Sequence, residues 1–134
     1  MEQAYGDFII SDDKSLLKIE TICDFLSRSY WANQRPVETT IKSIHNSICY
    51  GIYLGDKQVG YARIVTDWAT IYYLCDVFID EDYRGKGLGK KLVEIITEQY
   101  EGMMGLLGTL DAHELYEQYG FIRNTERFMN RRPR

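Results

Sequence analysis

Residues 83–90 of the chain read Tyr83-Arg84-Gly85-Lys86-Gly87-Leu88-Gly89-Lys90, and this stretch decides the fold. A strand-like apolar run at 72–79 precedes it, and a helical pattern at 92–100 follows it. Glycines let backbone N–H groups converge on an anion, and the N-terminus of a helix adds partial positive charge. Three glycines, two lysines and an arginine between a strand and a helix therefore predict a phosphate-binding loop.

Two common nucleotide-binding motifs do not fit the spacing of this loop. A Walker A motif would need glycine at position 84 and serine or threonine at position 91, where the chain has Arg84 and Lys91. A Rossmann fingerprint would need a third glycine at position 90, which is lysine. The spacing therefore indicates a different kind of phosphate site.

The composition is that of one globular domain spanning residues 1–134. Its content is 45% hydrophobic and 27% charged, and the chain has room for a single core. No apolar run approaches the roughly 18–20 residues of a membrane span, so we expect no membrane partner. The net charge of −4 argues against nucleic acid as the main partner.

Cysteine usage indicates a reducing compartment. The chain has three cysteines, Cys23, Cys49 and Cys75, which are widely spaced and odd in number. This pattern argues against a disulfide framework or a zinc site, so we expect no metal. Residues 1–5 also lack the basic start and apolar core of a signal peptide. We therefore expect a cytoplasmic protein.

Hydrophobic periodicity predicts an α+β domain with a mixed sheet flanked by helices. The expected strands are 8–11, 48–54, 58–66, 70–79, 105–110 and 128–130. The expected helices are 14–27, one opened by Arg35-Pro36, 88–100 and 112–119. The predicted order is β-α-α-β-β-β-α-β-α-β, with a hairpin turn at 55–57.

Two motifs in this order resemble the GNAT N-acetyltransferase superfamily. Arg84, Gly87 and Gly89 fill its Gln/Arg-x-x-Gly-x-Gly/Ala hallmark, and residues 115–121 resemble its Leu-Tyr-x-x-x-Gly-Phe segment. The element order matches the GNAT fold over essentially the whole chain. The resemblance implies direct transfer of an acetyl group from acetyl-CoA to a primary amine in a ternary complex. A catalytically silent acyl-CoA-binding module and a nucleotide-binding domain stay open as alternatives.

The resemblance also implies how acetyl-CoA binds. The strands at 70–79 and 105–110 would be parallel and splay apart around the pantetheine arm. The arm would pair with the backbone of Val77, Phe78 and Ile79 as an added strand. The pyrophosphate would meet the loop and its charged side chains, which are Arg84, Gly85, Lys86, Gly87, Leu88, Gly89 and Lys90.

The expected catalytic groups are Tyr116 and Asp76, of which only Tyr116 is implied by the resemblance. Tyr116 matches the family tyrosine that protonates the departing thiolate, and a phenol is protonated at neutral pH. The amine must lose a proton, and the glutamate that some family members place on the central strand has no match here. The available carboxylates are Asp76 and Asp67, of which we expect Asp76 to be the base or an anchor for the acceptor, with a chain of water molecules as the alternative base. The backbone N–H of Val77 would stabilise the oxyanion.

Position 109 departs from the family pattern. Many relatives have an asparagine there that contacts the pantetheine arm, whereas this chain has Thr109. Thr109 or Asp111 could supply a hydrogen bond to the cofactor instead. Asp111 could also cap the helix that starts at Ala112, which is the interpretation that we favour.

The acceptor is expected to bind the segment between the first two helices. Tyr30, Trp31 and Arg35 offer an aromatic pair and a cation there, although Trp31 could equally be a hydrophobic lid between helices. The acceptor is a small-molecule or peptide amine, with polyamine, amino acid, antibiotic and protein N-terminus all open. Many relatives of this size form homodimers. Arginines at 123, 127, 131, 132 and 134 form a basic tail that is either solvated or binds CoA phosphate or a partner.

Overall fold

A six-stranded sheet organises the chain, with its strands in chain order from one edge to the other. The computed structural model describes residues 1–133. The strands are β1 (Glu2–Tyr5), β2 (Phe8–Ser11), β3 (Ile48–Leu54), β4 (Lys57–Thr66), β5 (Ile71–Ile79) and β6 (Met104–Leu106). All neighbours are antiparallel except β5 and β6, which are parallel.

The helices cover both faces of this sheet. They are α1 (Ile19–Ser27), α2 (Val37–His45), α3 (Leu88–Gln99) and the short α4 (His113–Glu117). One core cluster packs the apolar stripe of α3 against the sheet, with Leu92 and Ile96 fully buried. A second cluster packs α1 and α2 on the opposite face, where Phe25 and Phe78 stack with ring centroids 5.0 Å apart. The predicted α+β class with a mixed sheet is therefore confirmed.

The sequence pattern predicted the bounds of several elements correctly. The strand at 48–54 has the predicted bounds, and β4, β5 and α3 begin or end within one residue of the prediction. The turn between β3 and β4 places Gly55 at φ +58°, where glycine carries no steric cost. Gly120 likewise has φ +91° after α4, as a C-terminal cap requires.

The N-terminal half differs from the prediction in two places. Residues 2–5 form an additional strand, β1, which pairs with β2. The predicted helix 14–27 begins only at Ile19, and residues 14–16 form a separate 3₁₀ turn capped by Asp13. The reason is tertiary, because the buried side chain of Gln58 on β4 accepts a hydrogen bond from the backbone N–H of Lys18 at 2.8 Å.

The C-terminal strands were predicted too long. The strand predicted at 105–110 covers only Met104–Leu106, because the chain leaves the sheet at that point. The strand predicted at 128–130 is wrong, since those residues are exposed and have no strand structure. The physical reason is that its two apolar residues, Phe128 and Met129, stay exposed, so the segment buries too little surface to hold a strand. Within residues 1–133, no helix has the length and apolar composition needed to cross a membrane.

Candidate active site

The glycine-rich loop presents backbone donors at the start of α3. Gly85 and Gly87 both have φ +81°, a conformation that side chains with a Cβ rarely adopt. The first helical hydrogen bond runs from the N–H of Lys91 to the carbonyl of Gly87 at 3.0 Å. The N–H groups from Gly85 to Lys90 have no acceptor among the described residues. The loop can therefore bind an anion through its main chain.

Two side chains hold this loop in place. The hydroxyl of Tyr5 on β1 donates to the carbonyl of Lys86 at 3.3 Å, and a Cβ on Gly87 would lie only 2.6 Å from that hydroxyl. Arg84 donates from Nε to the carbonyl of Ile79 at 2.9 Å, and its guanidinium lies 5.1 Å from the ring centroid of Phe78. Tyr5 was missed because β1 itself was not predicted.

The C-terminal half of β5 has a free main-chain edge. Only residues 71–73 pair with β6, so the edge from residue 74 to 79 faces no strand. A bulge accompanies this change, since Tyr61 pairs with Phe78 but Arg63 pairs with Cys75. Asp76 is the bulged residue, with φ +56°. The strands therefore diverge where the resemblance placed the pantetheine arm.

The free edge and the loop form one continuous surface. Ile79, at the end of β5, has its Cγ1 3.9 Å from the position of a Cβ on Gly89, and Leu115 of α4 is at the same distance. Val77 lines the cavity described next, whereas the side chain of Phe78 is buried in the core. A ligand on this edge would meet Phe78 only through its backbone.

A cavity of about 380 Å³ opens where the two strands diverge. It contains seven of the residues predicted from the sequence, which are Tyr30, Trp31, Arg35, Asp76, Val77, Thr109 and Tyr116. The predicted residues of the loop lie outside it, as do Phe78 and Ile79. The cavity is also lined by Asp111, for which a cofactor contact was the less favoured interpretation, and by Arg63, Tyr73 and Leu107, which were not predicted as site residues. Its volume is within the range of small-molecule sites.

Tyr116 forms part of the cavity wall from α4. It is 8% exposed, and its ring packs edge-on against Phe121 with centroids 6.0 Å apart. Burial raises the pKa of Tyr116 to about 12, with smaller contributions from Tyr30 and Asp111. Its hydroxyl has no hydrogen-bond partner within residues 1–133 and is not among the fully buried polar atoms that lack one, so it is open to the cavity. The hydroxyl is therefore protonated and available to a ligand at neutral pH.

Asp76 is the centre of a buried ion cluster. Its carboxylate accepts from Trp31 Nε1 at 3.0 Å, from Arg35 Nη1 at 2.7 Å and Nη2 at 3.3 Å, and from Arg63 Nε at 3.0 Å. Burial alone would raise the pKa of Asp76, but the two arginines outweigh it and the net pKa is lowered. Asp76 is therefore an ionised, fully hydrogen-bonded group rather than a free proton acceptor.

Arg63 is the site residue that sequence analysis missed most clearly. It lies on β4, and its Nη1 also donates to Ser47 Oγ at 3.1 Å. An arginine in a strand pattern carries no signal of its own, because only strand pairing brings it beside Asp76. Two guanidinium groups and one carboxylate leave this cluster with a net charge of +1.

The rim of the cavity is fixed by contacts between loops. The hydroxyl of Tyr30 accepts from the backbone N–H of Leu110 at 2.9 Å. Thr109 Oγ1 accepts from the backbone N–H of Ala112 at 3.0 Å, which fixes the turn that leads into α4. The prediction that Asp111 caps the helix is wrong, because α4 begins at His113 with Ala112 as its N-cap residue, and no side chain caps it. The contact of Thr109 with the cofactor stays a prediction.

The remaining candidate groups have structural surroundings. Burial raises the pKa of the Cys75 thiol to about 12, which argues against a nucleophilic role. Residues 1–133 contain no cluster of three ligands that could hold a metal ion. In the tail, Arg123 pairs with Glu117 at 3.1 Å, while residues 127, 131 and 132 are exposed. Residue 134 of the predicted basic tail lies outside the described residues.

Comparison with known proteins decides the family. The family model described as "Acetyltransferase (GNAT) domain" matches residues 45–123, which is more than half of the chain. This span includes both the glycine-rich loop and Tyr116. The chain belongs to the GNAT acetyltransferase family. The resemblance inferred from the two motifs is thereby confirmed.

Relatives of this GNAT chain span much of its length. A GNAT-family protein of Xanthomonas campestris pv. campestris superposes with a TM-score of 0.88 at 35% identity, covering 94% of this chain and 93% of that one. An acetyltransferase-like protein of Gibberella zeae is 30% identical over 117 residues, covering 72% of this chain and 66% of that protein. An acetyltransferase of the same fold from Clostridium acetobutylicum was solved with acetyl-CoA, at a TM-score of 0.68 and 11% identity.

Proposed function

We propose that this GNAT protein transfers the acetyl group of acetyl-CoA to a primary amine, by direct attack in a ternary complex. The observation that carries the proposal is one continuous surface. It runs from the free N–H groups of residues 85–90, along the free edge of β5, into the cavity that contains Tyr116. A molecule with a pyrophosphate, an amide-bearing arm and a reactive end fits this order of features.

The main chain accounts for most of the cofactor binding. The pyrophosphate accepts hydrogen bonds from the N–H groups of residues 85–90, and the N-terminus of α3 adds partial positive charge. Lys86 and Lys90 are exposed beside these groups and offset part of the negative charge of the pyrophosphate. The pantetheine amides pair with Val77, Phe78 and Ile79 of β5 as an added strand.

Transfer forms a C–N bond and breaks a C–S bond. The amine nitrogen attacks the thioester carbon, and the N–H of Val77 stabilises the oxyanion. The carbon–sulfur bond then breaks, and the Tyr116 hydroxyl hydrogen-bonds to the departing thiolate and protonates it. The proton that the amine releases to water replaces the one that Tyr116 gives up. We assign Asp76 the role of acceptor anchor, because its hydrogen-bonded carboxylate positions Trp31 and Arg35.

The test is release of free thiol from acetyl-CoA in the presence of a panel of primary amines. Replacing Tyr116 by phenylalanine is expected to lower kcat by about 100-fold, since general acid catalysis contributes that much or more. The affinity for acetyl-CoA is expected to stay nearly unchanged. Tyr119→Phe is the matched control, because Tyr119 lies three residues after Tyr116, just beyond the end of α4, and does not line the cavity.

Three outcomes would contradict this proposal. Equal turnover in the Tyr116 and Tyr119 variants would remove the general acid. Binding of acetyl-CoA without thiol release for any amine would favour a silent acyl-CoA-binding module. Tighter binding of ATP or NAD than of CoA in calorimetry would instead favour a nucleotide-binding domain.

The proposal includes a cytoplasmic location and a homodimer. All three cysteines are free, although Cys49 is buried, as expected in a reducing compartment. Ile71, Tyr73 and Met104 are each more than a third exposed on β5 and β6, which gives the sheet an apolar face suited to a second copy. Sedimentation of the purified chain would test the dimer, and cell fractionation the location.

A further inference from the structure

The ion cluster around Asp76 has more positive than negative charge. Asp76 is surrounded by Arg35 and Arg63, whose side chains are 21% and 14% exposed, against 2% for Asp76. One guanidinium charge is therefore left without a protein counter-ion on a half-buried wall of the cavity. A surplus charge in such a place favours an anionic ligand group, because desolvation strengthens the pair.

Both arginines also keep unused donors. Arg63 uses Nε for Asp76 and Nη1 for Ser47, and its Nη2 has no acceptor among the described residues. Arg35 gives one hydrogen bond from each of Nη1 and Nη2 to Asp76, and its Nε has no acceptor there. Planar guanidinium groups match the two oxygens of a carboxylate. The wall is therefore suited to a carboxylate rather than to a second cation.

A second acidic group, Asp111, lines the same cavity from a different element. Asp111 is exposed and lies just before α4, whose Tyr116 also lines the cavity. Arg35, Arg63 and Asp76 lie on the segment before α2, on β4 and on β5. An ammonium group drawn to Asp111 would be on the side of the cavity that the proposed function assigns to the departing thiolate. The charged groups that line the cavity are Arg35, Arg63, Asp76 and Asp111, so their charges sum to zero.

Building on the proposed function, we infer that the acceptor is a free α-amino acid. Its carboxylate binds Arg35 and Arg63, and its amino group lies at the Asp111 and Tyr116 end. A polyamine is disfavoured, since its second cation would face the arginines. The cavity of about 380 Å³ must also hold the acetyl end of the cofactor, which leaves space for a molecule of this size.

The walls indicate which side chain the amino acid has. Trp31, Tyr73 and Val65 line the cavity and are 40%, 43% and 46% exposed. Tyr30 packs edge-on against Trp31, with ring centroids 5.0 Å apart. These surfaces suit an apolar or aromatic side chain, because they gain free energy when a ligand covers them. Leucine and phenylalanine are therefore the first probes.

The first test measures binding without relying on catalysis. Replacing Trp68, which is 70% exposed in a turn, by phenylalanine leaves Trp31 as the only tryptophan. With coenzyme A bound, the fluorescence of Trp31 is followed while an amino acid or its matching amine is added. One pair is leucine and 3-methylbutylamine, and the other is phenylalanine and phenethylamine. Each pair shares the side chain and the amino group and differs in the carboxylate. The acid is expected to bind about tenfold or more tightly, as charged hydrogen bonds predict.

Equal or tighter binding of the amines overturns the inference, and so does the absence of binding by either acid. Arg35→Gln is expected to reduce the acid-to-amine preference about tenfold, through KM rather than kcat. Arg28→Gln is the matched control, because Arg28 also pairs with carboxylates, Asp24 and Glu81, but lies outside the cavity. Unchanged affinity for acetyl-CoA shows that both variants are folded.

A second variant separates the two ends of the cavity. Asp111→Asn is expected to weaken binding of acid and amine alike, because both carry the ammonium group. A preference lost in both the Arg35 and the Asp111 variants would indicate a general structural effect and contradict the inference. Thiol release without any preference for acids would leave the proposed function standing and remove the inference. Preferential binding of acids without thiol release would support the inference about the ligand and contradict the proposed transfer.

Discussion

The two halves of β5 differ in what lies beside them. Residues 71–73 are held between β4 and β6, and their backbone groups are used within the sheet. Residues 74–79 have β4 on one side and a free edge on the other. The first half is scaffold, whereas the second half lines the site. A strand can serve both purposes because the neighbouring strand ends early.

The bulge at Asp76 lies within the second half. Its extra residue turns a carboxylate into the cavity wall, where two arginines and Trp31 hold it. The same residue adopts φ +56°, which a regular strand does not allow. The site therefore depends on a bulge in the sheet and on the charge cluster that stabilises this bulge.

The largest effect is expected from Asp76→Asn, which removes the negative charge of the bulged residue. We expect a loss of about 3 kcal/mol in the free energy of unfolding, because two arginines lose their buried partner. Glu81→Gln, which breaks an exposed pair with Arg28, is the control and should change stability far less. Urea denaturation measures both. A loss no larger than that of the control would show that the cluster does not hold the bulge.

The difference in stability between wild type and Asp76→Asn is expected to decrease at acidic pH. The pKa of Asp76 is lowered by folding, so its contribution is present above the unfolded pKa and is lost as pH falls through the folded value. The stability difference between wild type and Asp76→Asn should be constant above about pH 5 and shrink below about pH 4. A difference that grows on acidification would contradict the lowered pKa.

The next effect is expected from Gly87→Ala at the loop beyond the free edge. A Cβ would lie 2.6 Å from the Tyr5 hydroxyl, and φ is +81°. We expect the Kd for acetyl-CoA to rise about tenfold or more, since the N–H groups must shift. Gly102→Ala is the control, with φ +90° and no atom within 4 Å. Calorimetry that gives equal Kd values for the two variants would rule out a role for the loop geometry.

A smaller effect is expected from Tyr5→Phe. The hydroxyl donates to the carbonyl of Lys86 at 3.3 Å, an exposed contact far from the cavity. Its loss should raise the Kd for acetyl-CoA about two- to fivefold, in line with a single neutral hydrogen bond. The kcat should stay the same, because Tyr116 is untouched. A change in kcat with an unaltered Kd for acetyl-CoA would show that Tyr5 affects the transfer step rather than the phosphate loop.

The smallest effect is expected from alkaline pH on the Tyr116 step. A pKa of about 12 keeps the hydroxyl protonated up to about pH 11. The ratio of kcat between wild type and Tyr116→Phe should therefore be flat from pH 7 to pH 10. A ratio that falls with an apparent pKa near 9 would show that Tyr116 is not buried as described.

Much of the site could be predicted because its signals are local. Glycines with positive φ, the start of α3 and the Tyr116 segment depend on residues close together in the sequence, so their pattern is visible without a partner. Asp111 does not cap the last helix, because the helix begins one residue later than predicted and its N-cap position is Ala112. The strand at 128–130 failed because its two apolar residues, Phe128 and Met129, stay exposed and bury too little surface to hold a strand.

The phosphate loop, the helix that follows it and the family could be inferred from sequence alone, because these depend on short spacings of residue types. The meeting of Arg35 and Arg63 at Asp76 required the fold, since these arginines lie 41 and 13 positions from Asp76 on different elements. The point at which β5 and β6 separate also required it, because β6 ends at Leu106 although the apolar run continues to Leu110. Charge balance in the cavity is a sum over distant segments, and it exists only once they are folded together.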